Sequence, residues 1–334
     1  MKRFVISLIC LLCAAVAKPQ DIHFSQYNDM PLTLNPATTG DFVGGVHRLN
    51  MIFRDQWGKT APYQTLAGSF DLVAFDGKWM TDYMGFGIVF FSDKAGDGNL
   101  STTQANFSMS YFKSVDPFNT IILGFQGGFA QRSLDYTKLY WDSQYDGVGY
   151  DPDLPSGERS TYDSFLYPDI TWGIIWALDP PRSYNSRLGY SMHHINQPDI
   201  GMSDPQLVKH VVHWNADFNK YNTNFHLLPT ALYMRQGTQQ EITYGFLLGF
   251  DLKEAAQITG WVRQNFFAFG FMHRWSDALV FQAKLNMKNL EFGISYDTNL
   301  SNFRTATNGY GGFEASIKYT SQIIPKWKKG ASRY

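Results

Sequence analysis

Leu279-Val280-Phe281-Gln282-Ala283-Lys284-Leu285-Asn286, the break Met287-Lys288-Asn289, and Leu290-Glu291-Phe292-Gly293-Ile294-Ser295-Tyr296-Asp297 decide how this chain folds. In each half, the residues at every second position are apolar: Leu279, Phe281, Ala283 and Leu285, then Leu290, Phe292, Ile294 and Tyr296. Between them fall mostly polar or small residues, among them Gln282, Lys284, Glu291, Ser295 and Asp297. Successive side chains of a strand point to opposite faces, so each half reads as a strand with one greasy and one polar face. The short break reads as a hairpin turn.

Working outward, the same period recurs at Leu66, Gly68, Phe70 and Leu72, at Phe107, Met109 and Tyr111, and at Phe313, Ala315, Ile317 and Tyr319. The stretches 121–129 and 170–178 are apolar on both faces, but the second face is small (Gly124, Gly128, Gly173, Ala177), which suits close packing inside a lumen. Turn signals at 116–119, 179–181, 219–224, Ser276-Asp277 and 287–289 alternate with longer irregular stretches at 133–165, 196–209 and 299–310. Short turns at one end and long loops at the other are the pattern of an outer-membrane barrel. A soluble sandwich would pair its greasy faces and leave edges to protect. Runs of ten or more residues instead suit strands crossing a bilayer at a tilt. Trp57, Tyr63, Tyr111, Trp176, Tyr296 and Tyr319 stand near strand ends, where an interfacial girdle places aromatics.

Composition agrees. The 334 residues include 27 Phe, 19 Tyr and 9 Trp, yet mean hydropathy is −0.26, as expected when an aromatic outer face is balanced by a polar inner one. After the first residues no apolar run is long enough for a spanning helix. A formal net charge of −1 gives no reason to expect nucleic acid as a partner.

Lys2 and Arg3, the apolar stretch 4–13 and Ala15-Val16-Ala17 form an export signal with cleavage expected after Ala17. Both cysteines, Cys10 and Cys13, lie within it, so the mature chain carries no disulfide, cysteine nucleophile or cysteine-based zinc site. The expected organisation is a signal peptide at 1–17, an N-terminal periplasmic or lumen segment at 18–44, a transmembrane barrel at 45–323 and a basic periplasmic tail at 324–334. Residues 21–40 are too polar to span and read as a plug. The fold class is thus all-β: a transmembrane outer-membrane β-barrel of about fourteen antiparallel strands with an N-terminal plug-like segment. The stretch 251–275 can be divided two ways, leaving roughly twelve or sixteen strands open.

Chemistry-bearing constellations are weak. His193, His194, His210 and His213 flank one loop, but no carboxylate or cysteine has ligand spacing with them, and they read as polar rim residues. No Gly-x-Ser-x-Gly or phosphate-binding glycine loop is present. No catalytic, cofactor-binding or metal residue is expected, and the chain does not read as an enzyme. Lys284, Glu291, Glu314 and Lys318 fall on polar strand faces with balanced sign and are expected to pair inside the lumen. The long loop carries Tyr136, Tyr140, Trp141, Tyr145 and Tyr150. Aromatics on a long loop over a rigid scaffold are what protein recognition uses, so these five are the expected partner-binding surface. From the residues alone, a transport channel or porin for small or hydrophobic solutes is the alternative.

Phe24-Ser25-Gln26-Tyr27, Leu34-Asn35-Pro36-Ala37-Thr38-Thr39-Gly40, Arg54-Asp55-Gln56-Trp57, Ser69-Phe70-Asp71 and Gly85-Phe86-Gly87 leading to Asp93-Lys94-Ala95-Gly96 occur in that order. His194-Ile195-Asn196-Gln197-Pro198, Ser295-Tyr296-Asp297, Ala306-Thr307-Asn308-Gly309 and Gly312-Phe313-Glu314 follow. In these motifs the chain resembles the PorP/SprF family of outer-membrane proteins tied to type IX secretion and gliding motility. The loop 133–165 and the tail after Pro325 depart from the family pattern. The resemblance implies an outer-membrane protein that binds, helps export or anchors a secreted cell-surface protein, typically a large adhesin with a C-terminal secretion domain. Other type IX secretion components and the lipid bilayer are the further partners it implies.

Overall fold

The computed structural model describes residues 21–42, 45–56, 63–74, 82–96, 98–135, 139–151, 153–157, 163–181, 184–201, 205–219, 224–252, 265–301 and 309–321. The expected signal peptide, Trp57, Tyr136 and the basic tail lie outside the described residues.

Alternating sequence becomes fourteen antiparallel strands. The first seven are β1 (His47–Gln56), β2 (Tyr63–Ala74), β3 (Tyr83–Ala95), β4 (Leu100–Ser114), β5 (Asn119–Leu134), β6 (Asp163–Leu178) and β7 (Tyr184–His193). The rest are β8 (Lys209–Asn219), β9 (Phe225–Gln236), β10 (Gln239–Asp251), β11 (Phe266–Arg274), β12 (Ala278–Met287), β13 (Leu290–Asn299) and β14 (Tyr310–Thr320). Each pairs with its sequence neighbours, and β1 pairs with β14 from Arg48↔Thr320 to Gln56↔Gly312, closing the sheet. Closure removes every edge, the condition for β-structure in hydrocarbon.

The faces fall as the period demands. On β1, Leu49, Met51 and Phe53 are exposed while Arg48, Asn50, Ile52 and Arg54 are buried. On β13, Phe292, Ile294 and Tyr296 point out while Ser295 and Asp297 point in. Outward Trp176 donates from Nε1 to Asn119 (2.8 Å), and outward Tyr111 donates its hydroxyl to Asp82 (2.6 Å), as interfacial aromatics with a wet tip do. Tyr63 differs: it has the inward parity of Thr65, so it lines the lumen and not the girdle.

Connections from β1 to β2, β3 to β4 and onward in odd-to-even order share the loop end; the other connections, with the start of β1 and the finish of β14, share the turn end. The three long stretches 135–162, 194–208 and 300–309 are all at the loop end. Segregation by length is incomplete, however. The tight β9–β10 and β11–β12 hairpins also sit at the loop end, whereas 252–265 crosses at the turn end. With long loops outside, the loop end faces the exterior and the turn end the periplasm.

The hydrophobic core is inside the lumen. Residues 21–42 enter it as two 3-10 turns (Tyr27–Asp29 and Pro36–Thr38) around a single helical turn (Pro31–Leu34). Phe24, Met30 and Leu32 pack on Ile52, Ala67, Val89 and Phe91. Tyr27 and Leu34 pack on Val211, Leu232, Met272 and Val280. Ala37 packs on Phe112, Ile122, Ile175 and Ala177. The alternation alone implies a lumen of polar and small side chains; the apolar ones at these inward positions are there because the plug buries against them. Ile294→Arg, at an outward position of β13, should cost about 2–4 kcal/mol if it lies at mid-membrane depth. Reversible unfolding in lipid vesicles measures this, and an unchanged midpoint would mean that the two faces are exchanged.

Candidate functional site

Two regions bring together the residues that sequence singles out: the filled lumen and the long β5–β6 loop. In the lumen, most of the plug's polar groups find partners on the wall, Nε2 of Gln26 being the plug atom that does not among the described residues. Glu314 accepts the Ser25 amide on one carboxylate oxygen (2.7 Å) and the Gln26 amide on the other (2.8 Å). Arg54 donates to the same carboxylate (2.5 Å) from the position directly opposite on the adjoining strand. Ser25 donates its hydroxyl to Asp297 (2.7 Å) and accepts from Arg274 (2.5 Å), which also pairs with Asp297 at 3.1 Å. Lower on this wall, Asp29 binds Lys284, while Lys318 meets Glu291 at 2.8 Å and Asp29 at 3.6 Å. Lys284, Glu291, Glu314 and Lys318 thus pair inside the lumen, as their balanced signs suggest. The sequence reading missed that the plug is the third party to each pairing.

The opposite wall holds the Asn35-Pro36-Ala37 turn. Asn35 accepts the Ala37 amide on Oδ1 (2.9 Å), which caps the 3-10 turn, and its Nδ2 contacts the carbonyls of Ile174 and Tyr190 and a ring nitrogen of His213. Thr39 shares a hydrogen bond with Ser108 (2.6 Å) and accepts from Ser110 on its carbonyl. The Gly40 amide donates to Asp71 (2.7 Å), which also holds Arg48 in a two-pronged pair. The turn can lie this close because the strands beneath it lack side chains. A methyl group on Gly124 would collide with the backbone of Ala37, and one on Gly173 with the Asn35 amide.

Three of the four histidines, His193, His194 and His213, are buried and differ from the rim reading, whereas His210 stays half-buried at the loop end of β8. His193 and His194 are both buried, because His194 adopts a left-handed φ of 56° that ends β7 and turns its ring inward as well. His193 contacts the Leu34 carbonyl (3.1 Å). His194 lies between Asp169 (2.7 Å) and Asp21 (3.2 Å), and Asp21 also binds Lys209 (2.9 Å). Burial alone would depress the His194 ring, but its bonds to the two carboxylates outweigh it and raise the value to about 9. Asp21 is held low against its burial by Lys209 and His194. The carboxylates missing from the local sequence thus arrive from other elements, and the result is a charged latch; among the described residues no group of three or more candidate ligands that could hold a metal ion is found.

Just beyond, Asn196 continues the ladder of β6. Strand β7 pairs with β6 only from Trp172 to Leu178. Above that, the Ile195 amide donates to Ile170 (3.1 Å), the Asn196 side chain accepts the Ile170 amide (3.2 Å), and it donates to the Pro168 carbonyl (2.8 Å). An amide side chain carries both a donor and an acceptor, so it can stand in for a strand's backbone. Ile200 then folds onto Ala130 and Tyr167 at the mouth.

The β5–β6 loop presents four of the five expected partner residues. Tyr140 is 78% exposed and Tyr145 60%, while Trp141 is half-buried. Tyr150 packs edge-on against Tyr140, with ring centroids 4.6 Å apart, and bridges to Tyr145 through the backbone. Between them Asp146 accepts the Val148 and Gly149 amides, which holds its carboxyl below the usual range and leaves Val148 at the tip 92% exposed. The loop is therefore a shaped aromatic platform with its own internal bonding.

The family model described as "Type IX secretion system membrane protein PorP/SprF" matches residues 16–319. No curated protein matches. Among solved structures, a mutant of the TodX monoaromatic hydrocarbon channel aligns at 10% identity and TM-score 0.48 over 89% of this chain and 94% of its own. A FadL homologue from Pseudomonas aeruginosa aligns at 12% identity and TM-score 0.43 over 86% and 92%. The KdgM porin in complex with disordered oligogalacturonate aligns at 8% identity and TM-score 0.38 over 82% and 98%.

Two outcomes test the lumen. Gly124→Val should expel the Ala37 turn and open ion conductance in planar bilayers, whereas Gly127→Val, on the outward face with no atom nearer than 3.8 Å to a new methyl, should leave the barrel closed. Equal conductance in both would remove the steric fit from the account. The second concerns pH. The folded value of His194, about 9, lies above its ordinary 6.5, so the latch is complete below about 6.5 and weakens as pH rises through 9. Current bursts should increase over that interval, and His194→Gln should show them at all pH values; bursts unaffected by pH would dispose of the latch.

Proposed function

The chain belongs to the PorP/SprF family of type IX secretion system membrane proteins, and from that premise we propose that it is a closed outer-membrane anchor that grips a secreted surface protein with its exterior loops. The observation that carries this reading is the filled lumen. Ser25, Gln26, Asp29, Asn35 and Thr39 are almost fully buried and bonded to opposite walls. A conducting barrel needs a water-filled path, and a polar plug sewn to both walls removes it. What is left for function is the exterior.

The tyrosines at 140, 145 and 150 support recognition of a folded protein. Their rings are broad, rigid and wet at one end, so they bury large area at small entropic cost. The partner is a secreted surface protein of the adhesin kind, and the barrel helps export it or retains it at the surface. The turn end of the plug, at Asp41, is compatible with further secretion components on the periplasmic side.

Purified in mild detergent, the native barrel should bring down a large surface protein. Joint replacement of Tyr140, Tyr145 and Tyr150 by alanine should leave a folded barrel and weaken that association by about 2 kcal/mol or more, roughly thirty-fold, if one of them is a hot spot. An undiminished association would move recognition to another surface, and steady open conductance of the native barrel would favour a transporter.

A further inference from the structure

The direction in which the plug runs is fixed by its contacts. At its start, the Asp21 amide donates to the side chain of Gln236 (3.3 Å), the last residue of β9, whose partner Gln239 opens β10 in the loop-end hairpin. The Asp21 carboxylate binds Lys209, the first residue of β8, and His194, one residue past the end of β7. All three anchors stand at the loop end. Ser25 is held by Arg54, Arg274 and Asp297, still in the loop-end half of their strands.

Twenty residues later the anchors have changed ends. Arg48, the second residue of β1, donates to the Thr38 and Asp41 carbonyls. Asp41 pairs with Arg187 (3.0 Å), which also holds Asp179 in the β6–β7 turn (2.7 Å). From there the chain turns back and climbs as β1. The plug and β1 are therefore antiparallel, although a plug cut from its signal on the periplasmic side has no need to reach the outer mouth.

We propose that the plug is threaded from the exterior: Asp21 is a cell-surface residue and Asp41 a periplasmic one, so that residues 21–41 form a covalent link running through the barrel from one compartment to the other. Its surface end lies in the mouth ringed by the β7–β8 and β9–β10 connections. A macromolecule docked on the loop end sits over the start of the plug, which the latch of Asp21, Lys209 and His194 ties to that mouth. The periplasmic end is tied to the wall by the Asp41–Arg187 ion pair, with Arg187 itself braced by Asp179, so displacement at the mouth has a continuous path to the opposite rim.

The mature chain has no cysteine if the expected signal is removed, which permits a sided labelling test in whole cells. Asp21→Cys should react with a membrane-impermeant maleimide on intact cells, and Asp41→Cys only after the outer membrane is permeabilised. Heat-modifiable electrophoretic mobility verifies that each variant is folded, and Val148→Cys at the loop tip is the positive control for surface exposure. Labelling of Asp21→Cys only after permeabilisation, or of Asp41→Cys on intact cells, overturns the proposal. The assay involves no partner, so its result stands whether or not the barrel binds a secreted protein.

Discussion

A closed sheet this wide encloses more space than its own side chains fill, and the interior polar groups of the chain that fills it must be satisfied without water. That constraint is concentrated on Glu314. Its two oxygens take the amides of Ser25 and Gln26, and Arg54 neutralises it across the β1–β14 seam. The seam that closes the barrel and the first turn of the plug are therefore specified by one carboxylate. Buried ion pairs of this kind contribute little net stability over apolar packing, but removing one partner is costly, and their geometry fixes register. Here the register in question is that of the plug against the wall.

Apolar packing and polar matching divide the plug between them. Met30, Leu32 and Leu34 supply buried area against inward Ile52, Val211 and Val280, while the residues flanking them supply the directional bonds. Neither would hold the segment alone. Three apolar side chains could slide over a greasy wall, and a ring of hydrogen bonds without burial would be lost to water. The Asn35-Pro36-Ala37 turn joins both, with Asn35 bonded to three strands and Ala37 seated on Gly124.

How much of this was legible follows from what alternation can encode. Strand existence, the outward faces of β12 to β14 and the count of strands are consequences of a period of two with a large apolar member, and the sequence carries that period openly. Among the described residues of the stretch 251–275, Asp251 ends β10 and Phe266–Arg274 form β11, in line with fourteen strands. Inward apolar residues such as Val280 and Ile122 were not separable from noise, because a two-faced pattern shows which side faces lipid and not what fills the other side. Pairings between Asp21, His194 and Asp169, or between Ser25 and Asp297, join residues far apart in sequence, and no local spacing announces them. The motifs Phe24-Ser25-Gln26-Tyr27 and Asn35-Pro36-Ala37 marked the right residues without giving their reason, which is that they are the plug's contact points.

The same constraint explains where variation can enter. The mouth is roofed by Ile200 and by Asn196 acting as a strand substitute, so β6 needs no full-length neighbour above Trp172. Strand β6 pairs with β5 along its whole length instead, up to Leu134↔Asp163, and lifts the Tyr140–Tyr150 platform clear of the shorter β7 and β8. A barrel stiffened from inside can carry such an outgrowth because the loop adds nothing to the closure of the sheet. Specificity for a surface partner can then change through loop residues alone, while the plug, which must satisfy both walls at once, cannot.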